Sequence, residues 1–304
     1  MKIKIKYYTK TFVKESLSVF RAIFFNVLSL CSVIVQSDFF CKDIKKIKKI
    51  KFDEIVVMGN GPSLVGDFKE HIDFFSGKAI ACVNDFAVSE YFHVLKPDFS
   101  IFFDSCYWIK NPSKSRCTIN DQVYKSFREK VNWPVTMIMP LVAREWNWFI
   151  DLPKLNKNIN ICYVNWTRID CSKNLRNFLY KNNIAMPRVV NVLINALVIA
   201  INMGYRKIYL MGADHSWHEN ICLGNDNVVY CKAEHFYPEE ELSLKPVFRD
   251  PEETRRYKMH ELFHDLSLTF EGHQEVAEYA EFMRAKIYNV SKKSYIDAYE
   301  RVTL

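Results

Sequence analysis

Small and polar residues collect directly behind β-branched runs. Behind "EIVVM" come Gly59, Asn60, Gly61, Pro62 and Ser63; behind "AIACV" comes Asn84; behind "FSIFF" comes Asp104; behind "KIYLMGA" come Asp214 and His215. Gly59 and Gly61 allow a sharp turn and close approach of a ligand to the backbone. Pro62 suits the first turn of a helix, where no N–H is needed. Amides at such a helix start, with the Ser63 hydroxyl, can cradle an anion. The turn matches neither the dinucleotide fingerprint GxGxxG nor a P-loop, so a ligand with few phosphates is expected.

Histidine is the side chain whose ordinary pKa suits proton abstraction near neutral pH. Two segments offer it: "AEHFYPEE" with His235 and Tyr237, and "RRYKMHELFH" with His260 and His264. His215 and His218 flank Trp217 just past a strand end and are expected to contact substrate. His71, His93 and His273 lie in helical contexts and read as structural. No CxxC pair occurs, and no metal site is expected. The nine scattered cysteines, several inside apolar runs, read as free thiols of a reducing compartment.

The elements that must hold these residues alternate from residue 52 onward. Seven strand-like runs separated by helix-length segments predict a single, mostly parallel, Rossmann-like α/β sheet with helices on both faces. In such sheets the ligand crevice lies outside the strands' carboxyl ends, where the polar residues above recur. "RVVNVLINALVIAINMGY" is apolar nearly all round and reads as a helix buried against the sheet, starting near Asn191. From His215 to about Tyr257 the alternation breaks, and a small lid insertion is expected there.

Charge divides the chain at the same place. The net charge is +7, yet residues 1–51 hold twelve Lys/Arg against three acids, a local +9, which leaves about −2 for residues 52–304. A body so nearly neutral does not read as a nucleic-acid binder. The basic runs flank "VFRAIFFNVLSLCSVIV", so residues 1–51 are expected to form a membrane-associating segment, with residues 19–35 lying in the plane of an anionic surface rather than spanning it. A core or oligomer-contact helix is the alternative, and a homo-oligomer is left open.

"VVMGNGPSL", "CVND", "GYRKIYLMGADHS" and "AKIYNVSKKSYIDAYER" together resemble the bacterial sialyltransferases that decorate lipooligosaccharide from CMP-sialic acid, and related surface-polysaccharide glycosyltransferases. The likeness covers roughly residues 53–104, 188–214 and 271–300. It implies metal-independent, inverting transfer from a nucleotide-sugar donor to a glycan or lipid-linked glycan acceptor, with no cofactor. It also implies a peripheral position on the cytoplasmic face of the inner membrane, although those enzymes carry their anchor at the other terminus.

Position by position, the resemblance places donor-nucleotide contacts on Asn60, Gly61, Ser63, Asn84 and Asp214. Asp104 replaces an Asn of the family, and Asn191-Val192 replaces a Ser-Gly pair. His215, Trp217 and His218 stand where the family has tyrosines that hold the leaving phosphate, so the donor need not be CMP-sialic acid. The family's base histidine sits in the lid, which points to His235, with His260 as the other choice. A related domain occurs in proteins similar to 6-hydroxymethylpterin pyrophosphokinase, so another nucleotide-dependent transferase, that kinase type or a phospho-alditol transferase, is the alternative function. A non-enzymatic nucleotide-binding scaffold is the third reading.

Overall fold

The structure, a computed structural model, describes residues 20–21, 23–39, 41, 43–47, 52–187, 191–232 and 244–304. His235 and Tyr237 lie outside the described residues. Helices α1 (23–36) and α2 (Asp43–Lys46) precede the sheet. There follow β1 (Glu54–Met58), α3 (Leu64–His71), β2 (Ala79–Val83), α4 (Tyr91–Leu95), β3 (Phe99–Ile101), α5 (Lys114–Lys125), β4 (Val135–Pro140), α6 (Leu152–Leu155) and β5 (Ile159–Val164). The second half runs α7 (Lys173–Lys181), α8 (Val192–Asn202), β6 (Lys207–Met211), β7 (Ile221–Leu223), β8 (Val229–Cys231), β9 (Lys245–Pro246), α9 (Met259–Phe282), β10 (Lys286–Asn289) and β11 (Glu300–Arg301).

Eight strands form one sheet in the order β11-β10-β6-β1-β2-β3-β4-β5, and every pairing in it is parallel. The chain builds outward from β1 to β5, crosses back to lay β6 beside β1, and continues the other way. Order therefore reverses between β1 and β6, which is where doubly wound sheets open a crevice. Successive strand residues face opposite sides. Ile55, Val57, Ile208 and Leu210 join α8, α7 and α9 in one core, while Val56, Met58, Tyr209 and Met211 join Leu64, Phe68, Phe92 and Phe127 in the other. Both faces are thus buried, as near-continuous apolar strands require. The eighth strand, β11, is two exposed residues and carries no apolar run to announce it.

Between β6 and α9, where the alternation breaks, β7, β8 and β9 pair antiparallel in a separate small sheet. Their shortness hides them from any reading of periodicity.

The amino-terminal segment does not stand apart from the domain as a boundary at residue 51 would have it. Val33 and Ile44 are buried in the α8-side core. Ser29 Oγ donates to the Asp170 carbonyl (2.8 Å), Asn26 accepts from the Ser172 amide (2.8 Å), and Cys41 donates to the Tyr163 carbonyl (3.2 Å). The opposite side of α1 is apolar and open, with Ile34 68% and Val35 82% exposed beside Ile23, Phe24, Val27 and Leu28. Among the described residues no helix is long and apolar enough to cross a membrane.

Candidate functional site

At the sheet's reversal, the turns behind β1 and β6 are hydrogen-bonded to each other. The Gly59 amide donates to the Met211 carbonyl (2.8 Å) and the Gly61 amide to the Gly212 carbonyl (2.8 Å). A Cβ on Gly59 would collide with the Gly212 carbonyl, and one on Gly61 would collide with the Asp214 carboxylate and lie 2.7 Å from the Gly212 carbonyl. Gly212 itself has φ +63, and a Cβ there would lie 2.7 Å from Leu64. The glycines are therefore required first by the approach of two backbone turns, and only what they leave open is available to a ligand.

The helix start expected to cradle an anion already holds one. Asp214 accepts from the Ser63 amide (3.0 Å) and from the Ser63 hydroxyl (2.7 Å). Helix α3 begins at Leu64, so Pro62 stands before the cap rather than in the first turn. Burial raises the Asp214 pKa, and the two Ser63 hydrogen bonds counter that rise. Ser63 faces Asp214 and lines neither cavity described next.

Two cavities open at the carboxyl edge. The smaller, about 160 Å³, is lined by Gly59, Asn60, Gly61, Pro62, Asn84, Asn191, Asp214, His215 and Trp217, with Lys232 from behind β8. The larger, about 700 Å³, is lined by Asn84, Asp104, Arg116, Trp166, Asn191 and Asn195, with Lys245, Arg249 and Tyr257 from β9 and the segment leading to α9. Asn84, Asn191 and Val192 border both, so the two form one crevice. Asn84 adopts φ +46, an uncommon backbone for a non-glycine residue, at the carboxyl end of β2. Asn191 caps α8, accepting from the Leu193 amide (2.8 Å), and brings that helix's amino end to the crevice.

Buried polar atoms without partners are uncommon in folded proteins. Five belong to residues lining this crevice: Asn60 Oδ1, Asn84 Oδ1, Arg116 Nε, Trp166 Nε1 and Asn195 Nδ2. Asn195 and Trp166 were not singled out in the sequence, though both gave a signal. Asn195 is a polar residue inside the apolar run of α8, and Trp166 follows β5 as the other site residues follow their strands. Arg116 gave none; it is held by Asp85 through Nη1 (2.7 Å) and Nη2 (2.6 Å), with the Tyr107 hydroxyl donating to the same carboxylate.

His215 is buried at φ +53, its ring against Trp217 (4.5 Å between centroids). Its Nε2 lies 2.9 Å from His273 Nε2, and His273 Nδ1 lies 3.0 Å from the Tyr299 hydroxyl. Burial lowers the His215 pKa to about 3 and holds His273 well below its ordinary value. His273, which reads from sequence as a structural histidine of a helix, is fully buried in α9 and reaches His215. His218 packs edge-on against Tyr295, and His260 is exposed on the first turn of α9; neither lines the crevice.

Fold and crevice define a doubly wound, parallel α/β domain of the kind that binds ligands at a topological switch point. No protein-family model matches the chain, and no curated protein matches it in sequence. Among solved structures it is similar to the MAf glycosyltransferase from Magnetospirillum magneticum AMB-1, with 12% identity and a TM-score of 0.47 over 84% of this chain. The match takes in 34% of that protein, so this chain spans about a third of its length. A likeness that faint carries no inference about the site.

Proposed function

We propose that the chain is a glycosyltransferase of bacterial cell-surface polysaccharide synthesis. It would transfer a sugar, with inversion, from a nucleotide-activated and CMP-linked donor to a hydroxyl of a glycan or lipid-linked glycan. One observation carries this reading: Asn60, Asn84 and Asp214, which match the sialyltransferase pattern, and Asp104 and Asn191, which stand where that pattern has other residues, are scattered along the chain yet line a single crevice at the sheet's reversal. A two-part crevice suits a donor and an acceptor meeting at the shared residues Asn84 and Asn191. Asn60 and Asn84 leave acceptor oxygens unpaired beside the smaller part, as a ligand rich in N–H and O–H groups would use.

A metal-independent route is favoured by the sequence, where Asp104 and Asp214 each lack the second aspartate of an Asp-x-Asp pair. Position on the cytoplasmic face of the inner membrane is supported by the open apolar side of α1 and the basic runs around it.

Thermal unfolding with CMP, UMP, GDP and ATP tests the donor class. CMP at one hundred times its dissociation constant is expected to add about 2.7 kcal/mol of stability. A shift with ATP alone would move the function to a phosphotransferase, and no shift with any nucleotide would end the transferase reading.

A further inference from the structure

His215, His273 and Tyr299 form a hydrogen-bonded series running from the smaller cavity into the core, and its direction can be worked out. At 2.9 Å, the two facing Nε2 atoms share one proton: one ring donates and the other accepts. The next link decides which. Tyr299 is buried, and among the described residues its hydroxyl has no hydrogen-bond partner other than His273 Nδ1. A buried O–H without an acceptor is costly, whereas an idle lone pair on a phenolic oxygen is not. Tyr299 therefore donates to His273 Nδ1. His273 must then carry its own proton on Nε2 and give it to His215 Nε2, which leaves the proton of a neutral His215 on Nδ1. That nitrogen has no hydrogen bond among the described residues, and its residue lines the cavity.

We propose that His215 presents a neutral Nδ1–H to an anionic oxygen of the ligand in the smaller cavity, and that His273 and Tyr299 are positioning residues that set this tautomer. Resting on the transferase reading, the anion is the phosphate of a nucleotide. The backbone supports a built role. His215 sits in the left-handed region, where non-glycine residues carry strain that is stored at functional sites, and the Trp217 ring fixes its plane. Burial keeps both imidazoles uncharged at neutral pH, so the order of donors is maintained. No proton leaves His215. A fixed donor of this kind gains strength as charge builds on a departing oxygen and needs no reorganisation to do so.

Two measurements on the full chain test it. Nitrogen-15 NMR of the histidine rings at pH 7 should show His215 protonated on Nδ1 and His273 on Nε2. In Tyr299→Phe the fixed order should give way to averaged signals at both nitrogens. A wild-type His215 protonated on Nε2 overturns the proposal. Calorimetry with CMP, cytidine and inorganic pyrophosphate supplies the second arm, using His215→Asn because asparagine tolerates the left-handed backbone. CMP and pyrophosphate should bind about 10-fold more weakly to the variant, as loss of a hydrogen bond to a charged group implies, while cytidine is unaffected. Unchanged CMP affinity in a normally folded variant would remove the donor role and leave the nucleotide reading standing. Wild-type protein that binds pyrophosphate but no nucleotide would do the reverse, and binding of neither would end both.

Discussion

Asp214 and Gly61 show how one position can look made for a ligand and be claimed by the protein. Gly61→Val would force a side chain into the Asp214 carboxylate and the Gly212 carbonyl. The expected result is a loss of roughly 1–3 kcal/mol or more in urea denaturation, as for overpacking elsewhere; full stability with lost nucleotide binding would return the glycine to the ligand alone. The buried histidine pair makes a separate prediction from acid titration. Folding lowers both pKa values, to about 3 for His215, so the unfolded chain takes up protons first as pH drops below about 6.5. Their contribution is complete above that pH and is lost as it falls, by up to about 1.4 kcal/mol per pH unit for each ring. Denaturation of wild type and His273→Gln at pH 7, 6 and 5 should show the steeper decline in wild type, and equal slopes would mean that His273 is not held neutral. The glycine turn and the polar strand ends were legible in sequence because each is a local pattern. Asp214 on Ser63, 151 residues away, and His273 on His215 were not, since no local pattern encodes a contact across the sheet.

At the scale of elements, α1 has two sides with different partners. Ser29 and Val33 fasten it to the domain, so removing residues 1–51 would strip a piece of the core along with any anchor. A cleaner test leaves the inward side intact and replaces Phe24, Val27 and Ile34, all on the open side, with serine. Binding to vesicles containing anionic phospholipid should fall at least 10-fold while thermal stability changes little. Unchanged binding would exclude this face as the contact, and resistance of the wild-type protein to carbonate extraction would contradict an in-plane docking. Apolar length and basic flanks made this segment conspicuous in the sequence. Which of its sides the protein itself would cover was hidden, because serine and asparagine serve here as inward contacts.

Across the whole molecule, alternation of strands and helices gave away the parallel sheet, and its strand ends gave away the edge that carries the crevice. The spatial order of the strands was out of reach, since β-branched runs do not name their neighbours, and the reversal beside β1 appears only when β6 is in place. That placement has a consequence in time. Glu54 pairs with Lys207, 153 residues later, so β1 leaves the ribosome with one edge bare and keeps it bare until β6 follows. At 5–20 residues per second the wait is roughly 8–30 s. Throughout it, the fully buried strand Ile55–Met58 is half-finished, and the smaller cavity is not closed, because Gly212 to Trp217, behind β6, form one side of its wall. The nascent chain needs shelter for that interval, and the smaller cavity can bind nothing until the turn behind β6 has been made.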